Sequence, residues 1–543
     1  MLALPLVGGC RAEFDGASEE SINRALDGIE GRIVGPSLEL GHRLRQPIAF
    51  ELPAERFRDV GVVIVGGGIA GLAAAWRLKR SGYDDFILLE LELSPGGTSR
   101  SDRSPVVGYP WGAHYLPSPT QENSELVKLL TELGVIEGID RDGDPLIAEQ
   151  FLCREPEERI FYKGRWYEGL YLYAGASDED LRQWKSLETE IDRWVAWRDA
   201  GGRRAFALPT RTGTDDPEVT RLDSMTMSDW LAERNLTSAR LRWMVDYGCR
   251  DDYGLRAEQT SAWAGLFYFA SRIARPGEEA RPLVTWPEGN GRIVNHLFAA
   301  VKNHVATPWA VADVKPVQKA HASHVEVIAL GANEGELRAY RARRVIFAAP
   351  QFVARHVIRP YRDDPPEHLR DFQYGSWLVA NVHLKARPRE ADYPLCWDNV
   401  FYESPSLGYV VATHQRGLDH GPTIFTYYYP FCDDDPHAAR AKLLEMDWRD
   451  CAMVVLADLA RAHPDITPLI ERIDVVRWGH AMIRPTPGFI WSASRRAAQQ
   501  PCRGIHFANT DQSGVALFEE AFDHGLRAAD EILHASVMSI NQI

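Results

Sequence analysis

The sequence is poor in the features that mark several large classes of protein. None of its 543 residues belongs to an apolar run of the ~18 to 20 residues that span a bilayer, so no membrane-spanning helix is expected. Cysteine is sparse: the seven (Cys10, Cys153, Cys249, Cys396, Cys432, Cys451, Cys502) form no C-x-x-C pair. That set suits neither a zinc site nor a disulfide framework, and reduced, packed thiols are expected. Positive charge is in the minority, with 61 Lys and Arg against 76 Asp and Glu, a net charge of −15. A surface of that sign repels phosphate backbones, so nucleic acid is not an expected partner. H-E-x-x-H, G-x-S-x-G and G-x-x-x-x-G-K-S/T are all missing, and no metal site or catalytic triad is assigned. What remains is ordinary globular composition, 45% hydrophobic and 25% charged, in a chain long enough for several lobes of ~100 to 200 residues.

Met1 to Cys10 is a short apolar stretch that ends in small residues and a cysteine. It resembles the end of a bacterial lipoprotein signal, in which Cys10 is the lipidated residue; an ordinary apolar start is the other reading. The first would place the protein in the periplasm or on a membrane through Cys10, the second in the cytoplasm. Residues 11 to 57 read as a surface-packed extension with no assigned chemistry.

The strongest signal starts at residue 60. Val60-Gly-Val-Val-Ile-Val-Gly66 is a continuous β-branched run, the pattern of a parallel strand buried on both faces. It runs into Gly66-Gly67-Gly68-Ile69-Ala70-Gly71, a G-x-G-x-x-G, and a helix is expected from Leu72 to Ser81. Gly66 allows the tight turn, Gly68 lets a diphosphate approach backbone N–H groups, and Gly71 lets helix and strand pack closely. A second strand, Phe86 to Glu90, follows, and Glu90 stands where an acid accepts the hydroxyls of an adenosine ribose, with Glu92 as the fallback. This order of strand, glycines, helix, strand and acid points to a dinucleotide.

Further along, Gly96-Gly97-Thr98-Ser99-Arg100 and Tyr109-Pro-Trp-Gly112-Ala113-His114-Tyr115-Leu116, extended by Pro119-Thr120-Gln121, resemble segments of FAD-dependent oxidoreductases. Trp286-Pro-Glu-Gly289-Asn-Gly291, Arg344-Val-Ile-Phe-Ala-Ala-Pro350 and the closing Phe507-Ala-Asn-Thr-Asp511 with Gly514-Val-Ala-Leu517-Phe518 extend the match. The whole resembles the superfamily of flavin amine oxidases, protoporphyrinogen oxidases and phytoene desaturases. The resemblance implies an α/β fold: a Rossmann-type FAD-binding lobe built from discontinuous segments (58–121, 285–360, 475–535) plus an inserted α+β substrate lobe (122–284 and 361–474), with a tail at 536–543.

It also implies roles. Gly66, Gly68, Ile69, Ala70, Gly71, Gly96, Gly97 and Thr98 would cradle FAD, Glu90 its ribose, and Arg100 its diphosphate. Gly112, Ala113 and His114 would pass the flavin ring. Val311 would present its backbone to adenine, Asp511 would bind the ribitol chain, and Leu517 and Phe518 would donate N–H groups to the pyrimidine. Where many relatives carry a lysine in a G-S-x-x-K context this chain has Gly375-Ser376-Trp377-Leu378-Val379. Asn381 shares the strand face of Val379 and His383 and is a candidate polar group at the flavin. His114, Tyr115 and His480 are the other catalytic candidates, with Tyr427, Tyr428, Tyr429, Trp478 and Phe489 as ring-bearing neighbours. The region Arg477 to Trp491 has no cysteine to bond the flavin, so FAD should be held non-covalently. No second unit for a nicotinamide nucleotide is seen. Electrons would pass from a small organic substrate, at a C–N or C–C bond, to FAD and on to oxygen, a quinone or another carrier. Val379 tilts the choice towards a C–C bond, and the acidic surface tilts it towards a cationic amine. The competing reading is a non-catalytic binding or escort-type protein on the same scaffold; the intact glycines with Glu90 and Asp511 favour an enzyme.

Overall fold

The computed structural model describes residues 23–46, 50–319, 322–333, 335–432 and 435–540. Cys10 and the stretch before it lie outside the described residues, as do 541–543 of the tail. Among the described residues no helix is long and apolar enough to cross a membrane.

Two sheets organise the molecule. The first runs Val305–Ala306, Phe86–Leu89, Phe57–Val65, Leu337–Phe347, Ala322–Leu330, Ala310–Lys319, with Ile505–Phe507 paired to Leu337–Phe347. Phe57–Val65 has a parallel partner on each side, and Val62, Val63 and Ile64 are fully buried, as its unbroken β-branched run requires. The helix after it spans Ile69–Arg80 and has no acid or β-branched residue after its first turn to interrupt it. It packs against the C-terminal helix Phe518–Ile540 at a close crossing, where a Cβ on Gly525 would stand 2.3 Å from the Ala70 carbonyl oxygen.

The second sheet has eight strands, ordered Glu30–Gly35, Ile470–Ile483, Tyr374–Leu384, Thr423–Pro430, Gly408–Val411, Asp398–Phe401, Glu158–Tyr162, Arg165–Glu168. Its central strand, Tyr374–Leu384, is buried along its whole length. Leu378, Ala380, Val382 and Leu384 share a core with the helix Trp448–Ala462, whereas Trp377 and Val379 turn to the opposite side. The aromatic stretch after residue 122 folds largely into helices, Asp178–Ala196, Met227–Glu233, Ala239–Tyr253 and Ala262–Ala270, which bury Trp194, Trp230 and Trp263 in a core of their own.

The segment before residue 57 departs from the reading of a surface extension. Glu30–Gly35 is an edge strand of the eight-stranded sheet, parallel to Ile470–Ile483, and Arg32 pairs with the buried Asp474 at 3.0 Å. Two glycines and two charged residues around Ile33 and Val34 hid it, because an edge strand needs no long hydrophobic run.

Candidate functional site

The strand Phe57–Val65 ends at Gly66, whose φ of +96° is a conformation glycine adopts without strain. A Cβ on Gly71 would lie 1.9 Å from the Gly66 carbonyl oxygen, so the helix begins directly on the turn. The second glycine turn closes on the first: a Cβ on Gly97 would meet Gly68 Cα at 3.4 Å, while Gly68 itself opens onto free space. Two bare backbone turns at a helix N-terminus form a cradle with N–H groups available to a diphosphate. Glu90 borders it. Its Oε2 accepts from the Gly67 N–H at 2.6 Å and its Oε1 from the Glu92 N–H at 2.7 Å. Burial pushes its carboxyl above the usual range, and each oxygen keeps a second acceptor site for a ribose hydroxyl.

From the cradle a single cavity of about 1040 Å³ extends between the two sheets. That is at the upper end of the ~300 to 1,000 Å³ of ordinary ligand sites, room for a dinucleotide and a substrate chamber. Gly66, Gly68, Ile69, Ala70, Glu90, Gly96, Gly97, Thr98, Gly112, Ala113, His114, Val311, Asp511, Leu517 and Phe518 all line it. Asp511 is 1% exposed; its Oδ2 accepts from the Gln351 N–H at 2.7 Å and the Tyr374 hydroxyl at 2.6 Å. Burial pushes it up to about 6, and Oδ1 has no hydrogen bond among the described residues. Two more buried acceptors of cavity-lining residues, Asn290 Oδ1 and Glu519 Oε1, have no protein partner. Unsatisfied buried acceptors beside a glycine cradle are what a site built around a polar ligand leaves behind. The residues present therefore fit FAD.

Two expected contacts are placed elsewhere. Gly71 serves packing rather than the cavity wall. Arg100 points away from the cradle: its guanidinium donates to Glu92 Oε2 at 3.2 Å and lies 4.2 Å over the Trp111 ring. A largely buried arginine pairs with a carboxylate within reach, and the turn between them sets Glu92 beside Arg100. Glu92, the fallback ribose acceptor, also lines the cavity, held there by Arg100 and by the Ser37 N–H, which donates to its Oε1 at 2.7 Å.

The catalytic candidates separate in the same way. Asn381 does not reach the cavity. The segment at Pro110 crosses its strand face, and Asn381 donates to the Pro110 carbonyl at 3.1 Å while accepting from the Thr426 hydroxyl at 2.8 Å. Val379, two residues earlier, lines the cavity. His480 lines it too, stacked on Phe352 at 3.9 Å. Burial and the neighbouring Arg440, Arg45, His42 and His437 push it down to about 3, so it stays neutral and is a poor proton acceptor. His114 stacks on Tyr428 with centroids 4.8 Å apart, and burial pushes it down to about 4. The Tyr428 hydroxyl donates to the Gly112 carbonyl at 2.8 Å and the Trp478 N–H to the Trp111 carbonyl at 2.8 Å, which fixes both rings in the wall. Tyr427 points to the opposite side of the same strand, where its hydroxyl donates to Asp458, and Tyr429 and Phe489 are likewise outside the wall.

The most polar part of the chamber was not singled out from the sequence. Tyr247 and Asp251 lie one turn apart on the helix Ala239–Tyr253, both facing the cavity with Asp252. The Tyr115 hydroxyl donates to Asp251 at 3.2 Å and the Tyr247 hydroxyl to Asp398 at 3.1 Å. Glu158 stands in register beside Asp398 on the adjacent strand. Arg272 is already held by Asp252, at 2.6 and 2.8 Å. Burial and then Asp252 push Asp251 up to about 7, burial and then Asp251 push Asp398 up to about 8, and Glu158 is raised well above the usual range by burial and Asp398. Glu519 joins them, pushed up to about 7 by burial. These carboxyls want a cation. The only sequence trace was the Arg250-Asp251-Asp252 run inside an aromatic helix; Asp398 and Glu158 meet it solely through sheet order.

Comparison with known proteins agrees with this geometry. The sequence profile of the family described as flavin containing amine oxidoreductase matches residues 69–533. A curated protein of Mycobacterium tuberculosis, provisionally named flavin-containing monoamine oxidase AofH, is 29% identical over 205 residues, 36% of this chain and 38% of that protein. The match thus spans under two fifths of the curated relative. Among solved structures, putrescine oxidase bound to putrescine superposes with a TM-score of 0.61 at 17% identity, over 88% of this chain and 100% of that one. Cyclohexylamine oxidase from Brevibacterium oxydans gives 0.60 at 17% identity (88% and 99%), and a fatty acid isomerase from P. acnes gives 0.60 at 15% (87% and 98%). At those identities the likeness is one of fold.

Proposed function

Because the chain belongs to the family of flavin-containing amine oxidoreductases, we propose that it holds FAD non-covalently and dehydrogenates a small cationic amine at its C–N bond. The observation that carries the amine reading is the set of carboxyls Asp251, Asp398 and Glu519 on the cavity wall, with Glu158 in register beside Asp398 and the neighbouring Arg272 already paired with Asp252. A polyene or other neutral hydrocarbon gains nothing from such a wall, whereas an ammonium group neutralises it. This outweighs the absence of a lysine at Val379.

FAD, when bound, supplies the two-electron acceptor for a hydride. The chain's own groups prepare the substrate for it. In their ionised form Asp251 and Asp398 attract the ammonium, and because burial pushes them up to about 7 and about 8 they then accept its proton more readily than an ordinary carboxylate does. That proton must leave, since the nitrogen lone pair is what drives the α C–H bond to give up hydride. The Tyr115 and Tyr247 hydroxyls hold the two carboxyls in place. His114, Tyr428 and Trp478 wall the chamber with rings and exclude water, which favours the transfer of hydride over side reactions.

The test is the visible spectrum of the purified protein, kept anaerobic and titrated with primary amines and polyamines. Bleaching of the flavin bands by an amine is the expected result. Asp398→Asn should raise the amine concentration for half-bleaching ~10- to 100-fold, as removal of a buried ion-pair partner does. A flavin that no amine bleaches would return the weight to C–C dehydrogenation, and a protein that binds no FAD would favour the binding-protein reading.

A further inference from the structure

The residues between Glu30 and Arg45 precede the family match, which starts at residue 69, yet they touch both halves of the site. At one end Glu30–Gly35 pairs with Ile470–Ile483 in the eight-stranded sheet. At the other, Leu44 packs against the core that holds Val65, Leu89 and Val311, directly under the cradle. Between them Pro36, Ser37, Leu38, Gly41, His42 and Arg45 line the cavity.

Two features tie this segment to the cofactor rather than to the substrate chamber. The Ser37 N–H donates to Glu92 Oε1, Arg100 holds the other oxygen, and the Glu92 N–H in turn donates to Glu90 Oε1. Ser37 thus sets the position of the ribose acid through one intervening residue. Secondly, Arg100 is spent on Glu92, which leaves the diphosphate without the arginine expected for it. Arg45 is free: among the described residues its guanidinium has no hydrogen bond or ion pair, in a chain whose net charge is −15. It stands near His356 on the helix Gln351–Val357, His480 on the long strand and Arg440, in a group with Arg355, His42 and His437 that has Asp435 beside Arg440. A cluster of that net sign on the wall of a cavity that takes a dianionic cofactor complements the cofactor's charge.

We propose that Glu30–Arg45 is a strap that retains FAD: Ser37 is a positioning residue for Glu90, and Arg45 supplies positive charge to the cofactor's diphosphate in place of Arg100. This rests on the FAD reading, not on the amine reading. The test measures FAD release from the full-length holoprotein by the rise in flavin fluorescence on dilution, and rebinding to the stripped protein by titration. Arg45→Glu should weaken FAD binding about tenfold, Arg45→Lys should retain it, and inorganic pyrophosphate should compete with FAD for the wild type but not for Arg45→Glu. Arg43→Glu makes the same charge change two residues earlier, at a position that does not line the cavity, and should bind FAD as the wild type does. Ser37→Pro, which replaces the N–H by a ring carbon at a position whose φ of −70° already suits proline, should speed FAD release severalfold with an unchanged melting temperature of the stripped protein. Equal FAD affinity for wild type and Arg45→Glu, or an equal loss in Arg43→Glu, overturns the proposal while leaving the amine oxidation intact. A wild type that binds no FAD overturns both.

Discussion

Asp398 shows what a single buried carboxyl costs and why it is kept. An unfolded aspartate ionises near ~3.9, whereas the folded one titrates near 8 because burial and Asp251 oppose its charge. Between those values the unfolded chain has released a proton that the folded chain retains, so this group lowers stability as pH rises through that window and does nothing below it. Asp398→Asn should therefore melt several degrees above the wild type at pH 8 and no higher at pH 4, by thermal unfolding of the FAD-free protein. Under the proposed function the same substitution should weaken amine binding, which is the trade a functional site makes. Residues of this kind were beyond sequence reading. Gly66, Glu90 and Asp511 stand out through spacing, but Asp398 is one acid among 76 until the sheet order sets it beside Glu158 and Tyr247.

Elements were legible in proportion to how local their signal is. The run Val60 to Gly66, the glycines and the helix after them appear within a few residues of where they were expected, because a buried parallel strand and a glycine turn are written in adjacent residues. The strand Glu30–Gly35 was missed, and Asn381 was placed at the flavin when the crossing of Pro110 takes its amide. Both depend on a partner far along the chain. The crossing of the helices Ile69–Arg80 and Phe518–Ile540 is of the same kind. In an isolated helix Gly525→Ala would stabilise by about 1 kcal/mol. Here the new Cβ would meet the Ala70 carbonyl oxygen at 2.3 Å and Ala73 Cβ at 2.8 Å. The expected outcome is a loss of ~1 to 3 kcal/mol in denaturant unfolding, with faster FAD release, because the crossing sits behind the cradle.

At the scale of the molecule, charge is divided unequally. The chain carries −15, its substrate chamber gathers buried carboxyls, and its positive groups meet at the mouth near Arg45 and Arg355. A cationic substrate is drawn towards such a body at long range, and salt screens that attraction. For an active amine, kcat/KM should fall severalfold between ~0.02 and ~0.3 M salt with kcat nearly unchanged, since the Debye length shrinks to below ~10 Å over that range. An uncharged amine analogue should show no such dependence. The dinucleotide-binding strand–turn–helix–strand unit was decided by local order in the chain, because strand, glycine turn, helix and acid are short-range constraints that any fold of this sequence has to satisfy; FAD and the discontinuous assembly were implied by the family resemblance. The identity of the chamber was not. Asp251, Asp398, Glu158, Ser37 and Arg45 come from a helix, two adjacent strands and an edge segment up to 361 residues apart, and only the pairing of strands and the packing of the two sheets around one cavity bring them within reach of one ligand.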